Sequence, residues 1–346
     1  MSMMWALCHA GFRRYAAYRQ ATVAACITNT VFGCLRTFVL LATTVGAGGV
    51  AAGYTGEQLS TYVWMGQGML GVVMLWGHND LADRVRSGEV AADLLRPVNP
   101  IWVYLAGDLG RAAHAACTRM VVPITVGALL FPFYRPDRWW TYPLVAVSVV
   151  LAVLVCFALR YLVNLTSFWL LDIRGVSMAW VVVSGVGSGL YFPLTFFPDE
   201  ITTLLYLATP FPSIMQFPAD VAVEYGGAGA QLSRIGLQVM WCVICMAAAV
   251  FVQSRATRKL VIQGGLPDNP RSVRQARVCA DPQPGAIPHQ LRDRSGEPDD
   301  LYGPGVHDRL RHVSGHTDSG RFRLRRGSVD LIAVDQRLHA GGSSGG

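Results

Sequence analysis

The residues of this sequence best placed for chemistry fall short of known catalytic patterns. Gly185-Val186-Gly187-Ser188-Gly189 has the outline of a serine-nucleophile turn. The register fails, because G-x-S-x-G around Ser188 needs glycine where Val186 stands. A base near Ser188 would also be needed. Beyond His9 and His78, His114 is the only histidine within or beside an apolar run. Small residues on a membrane helix serve close packing, and that is the preferred reading of the run. Cys242 and Cys245 form a C-x-x-C inside an apolar stretch, with no second pair and no neighbouring histidine to complete a zinc site. Like most of the other cysteines they read as small apolar filler. Lys259, the single lysine, lacks the glycine-rich approach of a phosphate-binding loop, and no H-E-x-x-H occurs. No catalytic, cofactor-binding or metal-binding residue is therefore assigned, and no cofactor is expected.

Charges inside apolar runs are the stronger signal. Asp108, Arg111 and Arg119 share a helical face at steps of three and eight, and Arg36 and Arg160 sit within further apolar runs. Such groups are expensive in lipid and face a bundle interior. Asp108 pairs with Arg111 in this reading, and Arg160 with Asp172 or with headgroups by snorkelling. Helix-to-helix pairing is the preferred role. A polar path through Arg36, Asp108, Arg111 and Arg119 is the alternative. A second charged group, NDLADRVRSGEVAADLLRPVNP (79–100), reads as a short amphipathic helix with Leu81 and Val85 on one face, a break at Gly88 and a further turn before Pro97. Such an element suits docking into a partner's groove; an ordinary surface loop is the alternative.

The elements that must position these residues are read from composition. Of 346 residues, 52% are hydrophobic and only 15% charged, against about 25% in soluble chains. Lipid is the implied solvent. Formal net charge is +7, but most of the arginines before residue 265 flank apolar runs and form no stripe with interleaved aromatics, which argues against nucleic acid. The pattern predicts an all-α integral membrane protein of about six transmembrane helices, near 21–45, 60–78, 112–132, 142–162, 176–197 and 234–253. The first run is longer than a signal-peptide core and reads as a retained anchor. Residues 1–20 carry Trp5, Phe12, Tyr15 and Tyr18 beside Arg13, Arg14 and Arg19, the pattern of an interfacial helix.

Arg13, Arg14, Arg19, Arg84, Arg86, Arg96, Arg174, Arg255, Arg258 and Lys259 lie on one side of that layout. Arg135 and Arg138 lie on the other, with no Lys or Arg from 198 to 233. The positive-inside bias puts the N-terminus and the C-terminus in the cytoplasm. Pro198, Pro210, Pro212 and Pro218 break 198–233 into pieces too short to cross, so an outer re-entrant element is expected there. Residues 21–265 form the spanning domain. The stretch 266–346, rich in Arg, Asp, Gly, Pro and His, is expected to be a disordered cytoplasmic tail.

Over roughly 10–265 the sequence resembles the ABC-2-type permease subunits of bacterial ABC exporters. The likeness rests on RYAAYRQATVAACITNTVFGCLR, RVRSGEVAADLLRPVNP, ALRYLVNLTSFWLLDIRGV, SGLYFPLTFFPDEI, TPFPSIMQFPADV and RATRKLVIQGG. It implies a multi-pass protein of the bacterial plasma membrane without its own ATPase, a separate ABC ATPase as partner, and a second permease chain, identical or paralogous. Surrounding membrane lipid completes the expected partners. It further implies a coupling element between the second and third spans, which would carry Arg84, Arg86, Glu89, Asp93 and Arg96 as ATPase-docking residues. An intramembrane hydrolase or acyltransferase using Ser188, and a membrane scaffold that transports nothing, are the rival readings.

Overall fold

The structure, a computed structural model, describes residues 3–76, 79–95, 98–170 and 172–263, with side chains described to Arg258. Arg96 and the expected tail lie outside the described residues, as does the side chain of Lys259.

The described residues are helical apart from one small hairpin. In chain order the helices are α1 Met3–Ala16, α2 Arg19–Gly46, α3 Gly56–Val73, α4 Asp80–Ser87, α5 Val90–Leu94, α6 Pro100–Ala115, α7 Val121–Leu130, α8 Thr141–Leu165, α9 Arg174–Gly187, α10 Asp199–Ala208, α11 Gln216–Ala222 and α12 Gly227–Gln263. The hairpin pairs β1 Val50–Ala51 with β2 Tyr54–Thr55. Its two turn residues, Ala52 and Gly53, both have positive φ, which matches the twist of a two-residue hairpin turn.

Among the described residues, four stretches are long and apolar enough to cross a membrane: Arg19–Gly46, Pro100–Leu130, Thr141–Phe168 and Gly227–Arg258. The chain is therefore a multi-pass membrane protein by its helix composition. The stretches correspond to the expected first, third, fourth and sixth spans. The third starts about twelve residues earlier than its apolar run, because Asp108 and Arg111 are carried inside the helix as a pair. It is a single rod built from α6, a one-turn π-helix at Ala116–Met120, and α7. Pro123 explains the widened turn: it has no N–H to donate and its ring would meet the Arg119 carbonyl four residues back.

The expected second and fifth spans are shorter, 18 residues in α3 and 14 in α9. Helix α3 is central. It packs on α2, α6, α7, α8 and α11, and Leu59, Tyr62, Val63, Trp64, Met69, Val72 and Val73 are almost fully buried. Its surroundings are protein, so Ser60, Thr61 and Gln67 are tolerated on it where lipid would penalise them. Thr55 starts α3 with a reciprocal capping box to Gln58.

Prolines interrupt the segment that follows α9. Helix α10 ends at Ala208, a turn follows at Phe211–Ser213, and α11 begins at Gln216. At the N-terminus, α1 lies against α6 with backbone almost touching backbone. A Cβ at Gly11 would fall 2.5 Å from the Gly107 carbonyl oxygen, and one at Gly110 would collide with the carbonyl of Cys8.

Candidate functional site

The amphipathic loop element is built as two helical turns braced against the bundle. Leu81, Ala82 and Val90 are buried. Leu81 and Val90 join a cluster with Ile101, Leu105, Phe157, Tyr161, Leu165, Ala249 and Ala256, from α6, α8 and α12, with Val85 packed beside it. Gly88 ends α4 in the left-handed conformation at φ +80°, which a residue with a Cβ adopts at a cost. Two side-chain bonds extend the brace. Tyr161 Oη donates to Gln253 Oε1 at 2.8 Å, and Gln253 Nε2 donates to Asn99 Oδ1 at 2.6 Å, at the N-cap of α6. A force on α4–α5 therefore bears directly on the ends of three long helices.

The charges of this element divide in two. Arg84 Nη2 donates to Asp93 Oδ1 at 3.0 Å, its Nε lies 2.6 Å from Asp93 Oδ2 as an ion-pair contact, and it reaches Glu89 at 3.7 Å. This fork ties α4 to α5. Arg86 and Glu89 are exposed, and so is Leu95, which presents 87% of its surface. Of the five residues singled out from sequence, Arg84 and Asp93 hold the element's shape, whereas Arg86 and Glu89 face outward. The outward apolar tip, Leu95, was missed. Its exposure has no marker in a run where Leu94 and Leu95 look alike.

Inside the bundle, Asp108 pairs with Arg111 as its i,i+3 spacing suggested, at 2.8 Å. Arg160 joins the same carboxylate at 2.9 Å; Asp172 instead lies near Arg174, at 3.8 Å. Both buried arginines also finish α3. Arg111 donates to the carbonyls of Gly71 at 2.8 Å and Val72 at 2.9 Å, and Arg160 donates to that of Met74 at 2.7 Å. Trp180 Nε1 takes the Leu75 carbonyl at 2.8 Å. The last turn of a helix leaves carbonyls without intrahelical donors and carries partial negative charge. Two guanidiniums and an indole satisfy them here, where Met74 turns left-handed at φ +54°. Arg36 performs a similar service elsewhere, donating to the carbonyls of Leu190 and Tyr191. Arg119 is different: the Nε of both arginines is buried without a hydrogen-bond partner, but among the described residues Arg119 has no terminal-nitrogen bond to a carbonyl such as Arg36 makes. Asp108 and Arg111 are one knot, Arg119 lines a cavity that Arg111 also borders, and Arg36 lies against the carbonyls of Leu190 and Tyr191.

A second polar network, illegible from spacing, lies at the other end of α3. Fully buried Asp220 accepts from Tyr54 Oη at 2.5 Å, Gln216 Nε2 at 2.9 Å and Tyr206 Oη at 3.4 Å, and pairs with Arg234 Nε at 3.1 Å. Gln216 Oε1 lies 2.7 Å from Tyr62 Oη and accepts the Leu194 N–H at 3.0 Å. Burial pushes the Asp220 carboxyl above its ordinary range, against the pull of Arg234 and the hydrogen bonds. Glu224, at φ +53°, faces the start of α8. It accepts from Thr141 Oγ1 at 2.5 Å, from the N–H groups of Arg138 and Asp137 at 3.2 and 3.3 Å, and from Tyr134 Oη at 3.1 Å. Burial works to raise its pKa, but these hydrogen bonds outweigh it and hold the carboxyl below the usual range.

Ser188 is fully buried and its Oγ lies 3.4 Å from the Gly185 carbonyl. The neighbouring glycines receive rings: Tyr191 on Gly185 and Phe211 on Gly187. Cys242 and Cys245 are free thiols on α12.

A polytopic helical bundle with buried charge knots, and a braced amphipathic element at the end of three long helices, has the build of a transport protein's membrane subunit. Residues 32–264 match the family described as ABC-2 family transporter protein, and the chain belongs to that family. Neither a curated protein nor a solved structure matches it.

Proposed function

We propose that this chain is the permease subunit of an ABC exporter, driven by a separate ATPase that docks on α4–α5. The observation that carries the reading is the braced element itself. It exposes Arg86, Glu89 and Leu95 while its inner face packs on α6, α8 and α12. An apolar tip ringed by charges suits a groove on a partner, with charge setting register. The chain then works without a nucleotide site of its own. A second copy or a paralogue completes the pathway.

In this reading α3 and α9, with the segments that follow them, complete six crossings, and α10–α11 form a re-entrant cover on the outer side. The arginine distribution puts α1, α4, α5 and the end of α12 on the cytoplasmic side of the bacterial plasma membrane. Closure of the ATPase on ATP pushes α4–α5. The push tilts the long helices and opens the outer mouth, and hydrolysis resets them. The cargo is an amphipathic or apolar compound, which a bundle interior recognises largely by shape.

The test is co-purification from native membranes. Wild-type protein is expected to bring down an ABC ATPase. Arg86→Glu is expected to reduce the recovered ATPase about tenfold, the effect of a 1.4 kcal/mol loss. Recovery of no ATPase with the wild type would remove the reading.

A further inference from the structure

Between α1, α2, α3 and α6 lies a cavity of about 220 Å³. It is lined by polar Asn29, Arg111, His114 and Arg119 and by apolar Ala25 and Leu70. Among the described residues, no carboxylate lines it. The cavity next to it, which shares Tyr15, Met74 and Arg111, contains both Asp80 and Asp108.

The two arginines of this lining differ in what they have left to give. Arg111 donates Nε to Asp108 and both terminal nitrogens to the carbonyls of Gly71 and Val72. Arg119 has no hydrogen-bond or ion-pair partner among the described residues; its Nε is closed off from solvent, so its terminal nitrogens are what this half-buried side chain offers the cavity. Its placement is built in. The π-helical turn at Ala116–Met120, forced by Pro123, carries Arg119 at its base. Gly71 lets its stem lie flat on α3: a Cβ on Gly71 would meet Arg119 Cβ and Cδ at 3.0 Å. Widened turns of this kind recur where a helix places a functional group. An arginine held inside a membrane bundle, in a cavity without an acid, leaves a donor for an anion.

We propose that this cavity binds an anionic oxygen group, of the phosphate or carboxylate class, on Arg119. The site takes such a group from the head of an amphiphile or from a free anion. The proposal deepens the permease reading by naming the charge class of a ligand in this cavity.

The test is native mass spectrometry of the detergent-solubilised full chain, titrated separately with phosphatidylglycerol, phosphatidylcholine and inorganic phosphate. Wild-type protein is expected to bind the anionic lipid, the free phosphate, or both, in preference to the zwitterionic lipid. Binding of the lipid alone assigns a headgroup as the source, and binding of phosphate alone assigns a free anion. Arg119→Gln is expected to weaken binding at least tenfold, and Arg119→Lys to retain most of it. Ala25→Trp fills the cavity from α2 without altering charge and is expected to abolish binding, so the outcome does not hang on the arginine variant folding. Equal binding of phosphatidylcholine overturns the proposal, as does unchanged anion binding in either Arg119→Gln or Ala25→Trp. No ATPase enters this experiment. Failed co-purification with intact anion binding would sink the permease reading alone, and the converse would sink only this site.

Discussion

Replacing Asp108 by asparagine leaves Arg111 and Arg160 facing each other without the carboxylate that both of them grip. Breaking a buried ion pair from one side costs about 3–5 kcal/mol, because an uncompensated charge stays behind. Thermal unfolding of Asp108→Asn in detergent should show that loss. Arg84→Ala opens the half-exposed fork to Asp93 and should cost no more than about 1 kcal/mol. Similar losses in both variants would contradict the assignment of the inner knot as structural.

Glu224 makes a pH prediction whose sign is fixed by its donors. Its folded pKa lies below the ordinary glutamate value, so its contribution to stability is full above that value and is lost as pH falls through the folded pKa. Asp220, raised by burial, acts with the opposite sign. The slope of unfolding temperature between about pH 6 and pH 3 should therefore be shallower in Glu224→Gln than in the wild type, and the difference isolates Glu224. An unchanged slope would count against its hydrogen bonds. Spacing made Asp108 and Arg111 legible as a pair, since i and i+3 face one way. It gave no view of Arg160 reaching the same carboxylate, 52 residues further along the chain, nor of Tyr54 and Gln216 meeting at Asp220. Contacts between distant helices carry no periodicity to read.

At the scale of elements, the α1–α6 contact depends on glycines at both sides. A side chain at Gly110 would strike the Cys8 carbonyl, and backbone cannot swing aside as a flexible side chain does. Gly110→Leu should lift α1 from α6 at a cost of at least about 1–3 kcal/mol. It should expose Arg13 and Arg14 to faster tryptic cleavage than in the wild type. Equal cleavage rates would show that the contact does not hold α1.

The amphipathic pattern of Leu81 and Val85 did mark the buried face of α4, and the prolines did mark the break between α10 and α11. The third long helix was read about twelve residues too short for an instructive reason. Hydropathy counts Asp108 and Arg111 as breaks, whereas the fold cancels their charges against each other and against helix-end carbonyls. Helix α3 fails the same count from the other direction. Wrapped in protein, it needs no lipid-grade surface, and its Ser, Thr and Gln residues lower the hydropathy that would flag it.

For the whole molecule, the account has one axis. Charge knots and the braced α4–α5 element gather at the end of α3 where Arg111 and Arg160 cap it, and the Asp220 and Glu224 networks gather at its start. Rigid polar packing at both ends suits a bundle that transmits a push along its length. In the proposed reading the α4–α5 end faces the cytoplasm, where an ATPase would reach it. The most direct test of that placement is labelling of intact cells with a membrane-impermeant thiol reagent, using Arg86→Cys and Glu200→Cys in a background stripped of native cysteines. The account expects Glu200→Cys to react in intact cells and Arg86→Cys to react only after the membrane is opened. Labelling of Arg86→Cys from outside would contradict it.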